Sequence, residues 1–200
     1  MADLTKTIGT VVLAPQTLAA ASLVASSAID VSSILEGLLM IRVGRNQEAA
    51  LTVGVTFRVE GSWSSDNIAW VPIATFQSTI AALTTGASEA LTGTEAAGST
   101  VLEVASTTGF AVGNYCSILN ATPANSEWVR IQSIVTNTSI TVEEGITNAQ
   151  TGSTIYAGAE AFVCQIPAGL ARIRVVVNNL GNATQAVLIS ARLNTVTEIA

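Results

Sequence analysis

The sequence predicts an all-β protein: an antiparallel β-sandwich of jelly-roll-like form, with a small β-barrel inserted between two of its strands. Three observations lead there. In residues 51–60, Val53, Val55, Phe57 and Val59 alternate with Thr52, Thr56, Arg58 and Glu60, the period-two signature of a strand with one buried face. Ile173, Val175 and Val177 alternate with Arg172, Arg174 and Val176, and a second alternating run at Val187–Leu193 follows the turn cluster Asn178–Asn182. Between these regions, residues 100–157 hold short apolar runs punctuated by Gly, Pro and Asn, which reads as a small barrel.

Taken in order, Thr7–Leu13 is expected as a first strand, ended by Ala14 and Pro15. Leu18–Ile29 is Ala/Ser-rich and helical by propensity, yet residues 26–32 favour a loop and a short strand. Residues 30–35 admit one helical turn capped by Asp30 or Ser32. Leu38–Val43 is a strand with Leu39, Ile41 and Val43 opposite Arg42, and Gly44–Gln47 is the turn after it. The central strand runs into a polar loop, Gly61–Asn67, that carries Trp63, and Trp70–Ile73 resumes the apolar pattern. Thr84–Ser99 has hardly any large side chain and is expected to be a surface linker. Five strands follow, at 100–105, 114–120, 127–135, 139–143 and 153–157. The organisation is then an outer sandwich of residues 1–82 and 160–200, with residues 84–158 forming the inserted barrel and its N-terminal linker. A single continuous barrel is the alternative.

Composition narrows the function. The chain has 200 residues, 49% hydrophobic and only 11% charged, which points to surface covered by other subunits. No window supplies the roughly 18 consecutive apolar residues of a membrane helix. Val11–Ile29 is interrupted by Pro15, Gln16 and Thr17, which argues against a signal peptide. The eight basic residues are scattered on a chain of net charge −6, so no nucleic-acid partner is expected. Histidine is absent, which removes the commonest general base and metal ligand. Cys116 and Cys164 read as reduced packing residues. Glu143 and Glu144 are adjacent on a strand and point to opposite faces, so they read as a solvated strand end. Asp66, Asn67 and Glu60 are too few for a calcium loop. No catalytic residue, cofactor or metal site is expected, and the chain is read as non-enzymatic.

What remains is surface. Trp70 is expected in the core over Phe57 and Phe76, whereas for Trp63 burial and exposure on its loop are both open. Arg42, Arg58, Arg174 and Arg192 each interrupt an otherwise neutral outward face. They keep the sheet soluble or serve carboxylates of a neighbouring subunit. Met1–Thr10, with Leu4 and Ile8 as its large apolar residues, is expected to order only on contact with a partner. Leu4, Ile8, Arg58, Trp63 and Arg174 are therefore the candidate partner contacts.

Two stretches resemble structural proteins of tailed bacteriophage particles. Ala97–Asn114 with its Thr107-Thr108-Gly109-Phe110 turn, the strand Glu127-Trp-Val-Arg-Ile, and Thr147–Ser153 resemble a small β-barrel inserted in virion and tail proteins. Asn114 and Gln150 stand where that module usually has Asp and His. Ser64–Ile73 and Arg172–Asn179 are similar to sandwich domains of phage proteins and of some carbohydrate-binding modules, with Asn67 in place of the usual Gly. The resemblance implies a capsid decoration (cement) protein, made in the host cytoplasm and carried on the capsid surface of the virion. Its implied partners are itself, as a homo-oligomer and commonly a trimer, and the major capsid protein. A neck or tail component, or a glycan-binding module or adhesin, is the alternative reading.

Overall fold

A computed structural model describes residues 3–46, 51–66, 68–79 and 86–199, with side chains from residue 5 to residue 197. Where apolar residues alternate, strands form and bury the apolar side. Six strands precede the insertion: β1 (Asp3–Leu18), β2 (Leu23–Ala25), β3 (Ile29–Asp30), β4 (Ile34–Arg45), β5 (Thr56–Ser62) and β6 (Val71–Gln77). Eight short ones follow: β7 (Ser88–Ala90), β8 (Thr94–Glu95), β9 (Val101–Glu103), β10 (Tyr115–Leu119), β11 (Glu127–Val135), β12 (Ser139–Val142), β13 (Gln150–Thr151) and β14 (Thr154–Ala157). Three more complete the chain: β15 (Ala159–Ile166), β16 (Arg172–Asn178) and β17 (Val187–Ile199).

The first and last groups make two antiparallel sheets, ordered β1-β17-β4-β15 and β2-β16-β5-β6, with β3 also paired to β16. Because β2 and β3 lie end to end along β16, they count as one interrupted strand. In chain order the eight strands then run 1-8-3-6 in one sheet and 2-7-4-5 in the other. This is the jelly-roll order.

The two inner faces meet in one apolar core. Leu39, Ile41 and Val43 of β4 and Val55, Phe57 and Val59 around β5 are fully buried there. Phe162 packs between the sheets, 5.9 Å from the Phe57 ring and 5.4 Å from that of Phe76. Of the three rings Phe57 is fully buried, and truncating it should cost about 3–5 kcal/mol.

The short strands form a six-stranded sheet, β7-β14-β10-β11-β12-β9, and a two-stranded pair, β13-β8. They close over their own cluster, with Leu102, Cys116, Ile118, Ile131, Ile140 and Ile155 fully buried in it. Gly109 and Gly113 sit at φ +83° in the turn before β10, a conformation that costs other residues their Cβ clearance. Asn114 does what an Asp would do there: its Oδ1 accepts the Ala111 N–H at 2.8 Å. Gln150 is fully buried and accepts from Asn120 and Ser153 while donating to Asn125 O and Glu127. Trp128, Ala159 and Leu188 pack together, joining β11 of the barrel to β15 and β17.

Several expectations change. The first strand does not stop at Pro15; β1 runs on to Leu18 by slipping register there, and an edge strand can absorb a proline at such a bulge. No helical turn forms at 30–35; instead Asp30 Oδ1 accepts the Ser32 N–H and hydroxyl, which holds its carboxyl below the usual range. Gly44 and Arg45 belong to β4 rather than to a turn. Val53 is 41% exposed and outside β5 because the buried Asn182 side chain binds the Thr52 and Val53 N–H groups and Val53 O. The expected linker holds β7 and β8 from residue 88 onward, and its Leu91 and Glu95 are buried; residues 84 and 85 lie outside the described residues. Residues 3–7 are already paired, with residues 195–199 of β17, so that part of the N-terminal segment does not wait for a partner.

Two predictions follow from these cores. With residues 86–158 replaced by a short Gly/Ser linker, the sandwich should still unfold cooperatively, at a lower temperature because Leu188 loses its cover. Loss of all structure by circular dichroism would show that the two cores stand or fall together. Burial also pushes the Cys116 thiol from 9.0 up to about 12. The unfolded chain ionises this thiol near its ordinary value, so its contribution to stability is full below that value and lost as pH rises towards 12. The denaturant midpoint of the native protein should therefore fall more between about pH 8 and pH 10.5 than that of Cys116→Val.

Candidate functional site

On the outer face of the second sheet, the pairing of β5 with β16 sets Glu60 directly across from Arg174. Arg58 lies two residues before Glu60 on the same face, by the period of the strand. The Glu60 carboxylate is only 5% exposed, and each of its oxygens meets one guanidinium Nε at 2.6 Å. The Arg174 guanidinium in turn lies over the Trp70 ring, 4.3 Å from its centroid. A buried carboxylate thus fixes two arginines, and an indole fixes one of them again.

This arrangement differs from the sequence reading at two positions. Glu60, expected on the outward face, is buried there with both oxygens engaged by arginines. Trp70 is half-buried under Arg174 instead of closing the core over Phe57. Arg58 and Arg174 serve a carboxylate of their own chain. The signal was in the sequence as a same-face Arg-x-Glu beside an Arg-x-Arg, but only the register between β5 and β16 joins them.

Trp63 is 68% exposed, at the rim of an apolar groove of about 340 Å3 formed with Gly61, Val71, Pro72, Pro167 and Leu170. Ile68, on the same loop, is 85% exposed. Ile8 is 71% exposed, on β1 of the other sheet, so the structure does not bring it together with Trp63, Arg58 or Arg174. Leu4 pairs through its backbone with Glu198, and its side chain lies outside the described residues.

A larger cleft, about 490 Å3, opens between the outer face of the first sheet and the barrel. Arg42 and Arg192 are on its floor, Tyr115, Trp128 and Glu127 on its wall, and Glu143 and Glu144 at its rim. The Arg42 Nε is buried without a hydrogen-bond partner among the described residues. Burial pushes the Tyr115 phenol up, and Arg42 pulls it partly back. Glu127 is spent on structure, accepting the Thr147 and Asn148 N–H groups at 2.7 Å each. Glu143 pairs with Arg130 at 3.6 Å and both are well exposed. Sequence reasoning missed this cleft, because its two walls come from different parts of the chain.

No family model and no curated protein matches the chain. Solved structures with partial likeness include one of infectious bursal disease virus, Gt strain, at 11% identity and TM-score 0.25, covering 99% of this chain and 42% of that one. The chain therefore spans less than half of that protein's length. VP17, a capsid protein of bacteriophage P23-77, aligns at 11% identity over 100% of this chain and 98% of that one, with a TM-score of 0.23. A chain of the complex of the two major capsid proteins of the same phage, VP16 and VP17, aligns at 11% identity over 100% of both, with a TM-score of 0.21. Likeness at these scores carries no argument about topology or role.

The Glu60 cluster predicts a ranked mutant series. Glu60→Gln leaves two guanidiniums facing each other without a counter-charge and should cost about 1.5–3 kcal/mol. Arg174→Ala should cost more than Arg58→Ala, which removes a half-exposed partner contributing less than about 1 kcal/mol. Arg174 and Trp70 should show a coupling of about 0.5–1 kcal/mol in a double-mutant cycle read by urea unfolding.

Proposed function

We propose that the chain is a non-enzymatic structural protein of a virus particle, and within the particle a decoration (cement) protein that binds the major capsid protein on the outer shell as a homo-oligomer. The observation that carries the reading is the jelly-roll topology, with strands 1-8-3-6 against 2-7-4-5. That scaffold is used by viral capsid proteins. A fold does not fix a function, and three further features support the choice. Charged residues are only 11% of the chain. Large apolar side chains such as Ile8, Val163 and Ile68 stand exposed far apart on the molecule. The barrel and sandwich stretches resemble phage virion modules. A trimer, as the resemblance implies, would set three chains around a local three-fold position of the shell.

Lectins also use jelly rolls, and Trp63 at the rim of an apolar groove is the kind of side chain that stacks on a sugar ring. A glycan-binding module is therefore the second reading. One experiment separates them. Particles purified on a density gradient from a producing host should contain the chain in stoichiometric amount, and the purified chain should restore occupancy to particles lacking it. Absence from the particles, together with a Trp63-dependent affinity for an oligosaccharide, would reverse the order.

A further inference from the structure

Among the described residues the two sheets of the sandwich end in four edges, and three of them are blunted against pairing. The β1 edge slips register three times and carries Pro15 and Lys6. Opposite it, β2 and β3 are separate pieces of three and two residues. The β6 edge carries Pro72, and its pairing with β5 slips between Val59 and Glu60. Short pieces, bulges, prolines and lysines are how proteins keep an open edge from taking on another strand.

The fourth edge has none of these. β15 pairs with β4 residue for residue from Ala159↔Gly44 to Ile166↔Gly37, without a shift. It contains no proline, glycine, lysine or arginine. Its single charge, Glu160, lies on the same side of the strand as Phe162 and Cys164, and its carboxylate accepts the Thr79 N–H and hydroxyl at 2.8 Å each. The opposite side presents Ala161, Val163 and Gln165, all exposed and uncharged. Beside them on β4, Leu38 is 44% exposed, and Val163 itself is 56% exposed.

We infer that this edge binds a second copy of the same chain, β15 against β15, antiparallel about a two-fold axis near Val163. The two four-stranded sheets then become one sheet of eight. An antiparallel edge repeats its hydrogen-bonding pattern under a two-fold rotation, so identical edges fit each other as they stand. Pairing centred on Val163 sets Glu160, the single charge of the strand, opposite Ile166, so no like charges stand across from one another. It also covers Val163 and Leu38, which a single copy leaves in water. The contact is narrow, one strand and the side chains beside it, and so is weak singly and strong when repeated over an array. It gives the homo-oligomer of the proposed function a defined contact, although the pairing itself stands on the edge alone. It joins trimers as readily as single chains.

The test reads the contact directly. Hydrogen exchange of the full chain at about 1 µM and about 100 µM should show β15 amides gaining protection at the higher concentration, with β1 amides unchanged. In sedimentation, Ala161→Lys/Val163→Lys should lower the association constant by at least about tenfold. Val11→Lys, at an exposed position on the blunted β1 edge, should leave it unaltered. No concentration-dependent protection in β15, or wild-type association by a folded β15 lysine variant, overturns the inference. If the lysine variant fails to fold, the exchange experiment on the native chain decides alone. Particles that stay decorated by a chain lacking this pairing would reject the contact and leave the virion reading standing.

Discussion

The sandwich depends on the last strand lying in the middle of a sheet. β17 is the C-terminal strand, yet it runs between β1 and β4 and pairs with both, Thr7↔Thr195 on one side and Leu39↔Leu193 on the other. Its alternation then serves two cores at once. Val187, Ile189, Ala191 and Leu193 face the inter-sheet core, while Leu188 turns outward and is fully buried against Trp128 of the barrel. A strand buried on both faces reads as nearly continuous apolar sequence, as residues 186–189 do. Because β1 and β17 are neighbours, closing the sheet brings together residues such as Thr7 and Thr195. Pairing of such high sequence separation is slow to form.

Beside the Trp128–Leu188 contact, one buried cation fastens the barrel to this sheet. Arg45, at the end of β4, is 4% exposed and donates to Gly86 O at 2.9 Å and to Ala157 O at 3.3 Å. These carbonyls belong to the two strands of chain that lead into and out of the barrel. The guanidinium also lies 5.8 Å from the Tyr156 ring centroid, and Ser117 of β10 donates its hydroxyl to Arg45 O at 2.8 Å. Gly44, one residue before, lets that serine approach, since a Cβ there would collide with Ser117 Cβ. The large cleft lies beside this junction, lined by Met40, Arg42 and Arg192 of the sheet and by Ala124 and Trp128 of the barrel.

The surfaces divide in a way that composition alone does not suggest. With few charges available, the chain places Arg58 and Arg174 on a single buried carboxylate. Paired charges of this kind hold their geometry more than they add stability. Trp63, Ile68 and Val163 stand exposed apart from this cluster.

The sequence by itself determined the local structure. Alternation marked β4, β5, β16 and β17, punctuation placed β10, β11, β12 and β14 within a residue or two, and the unpaired state of both cysteines was legible, although both are buried where half-burial was expected. These features need only neighbours in the chain, whose sides are set by the two-residue period. Strands of two or three small residues, such as β7 and β8, show too few alternations to be read, and Pro15 concealed half of β1. Tertiary structure alone decided what lies across from what. The register of β5 against β16 made Glu60 a hub, and the cross-sheet return of β17 buried Leu188. The position of the barrel at one end of β4 turned Arg45 into a clamp and created the cleft. Each of these joins residues more than forty positions apart, and no local pattern records such a meeting, because it is fixed by which strands become neighbours.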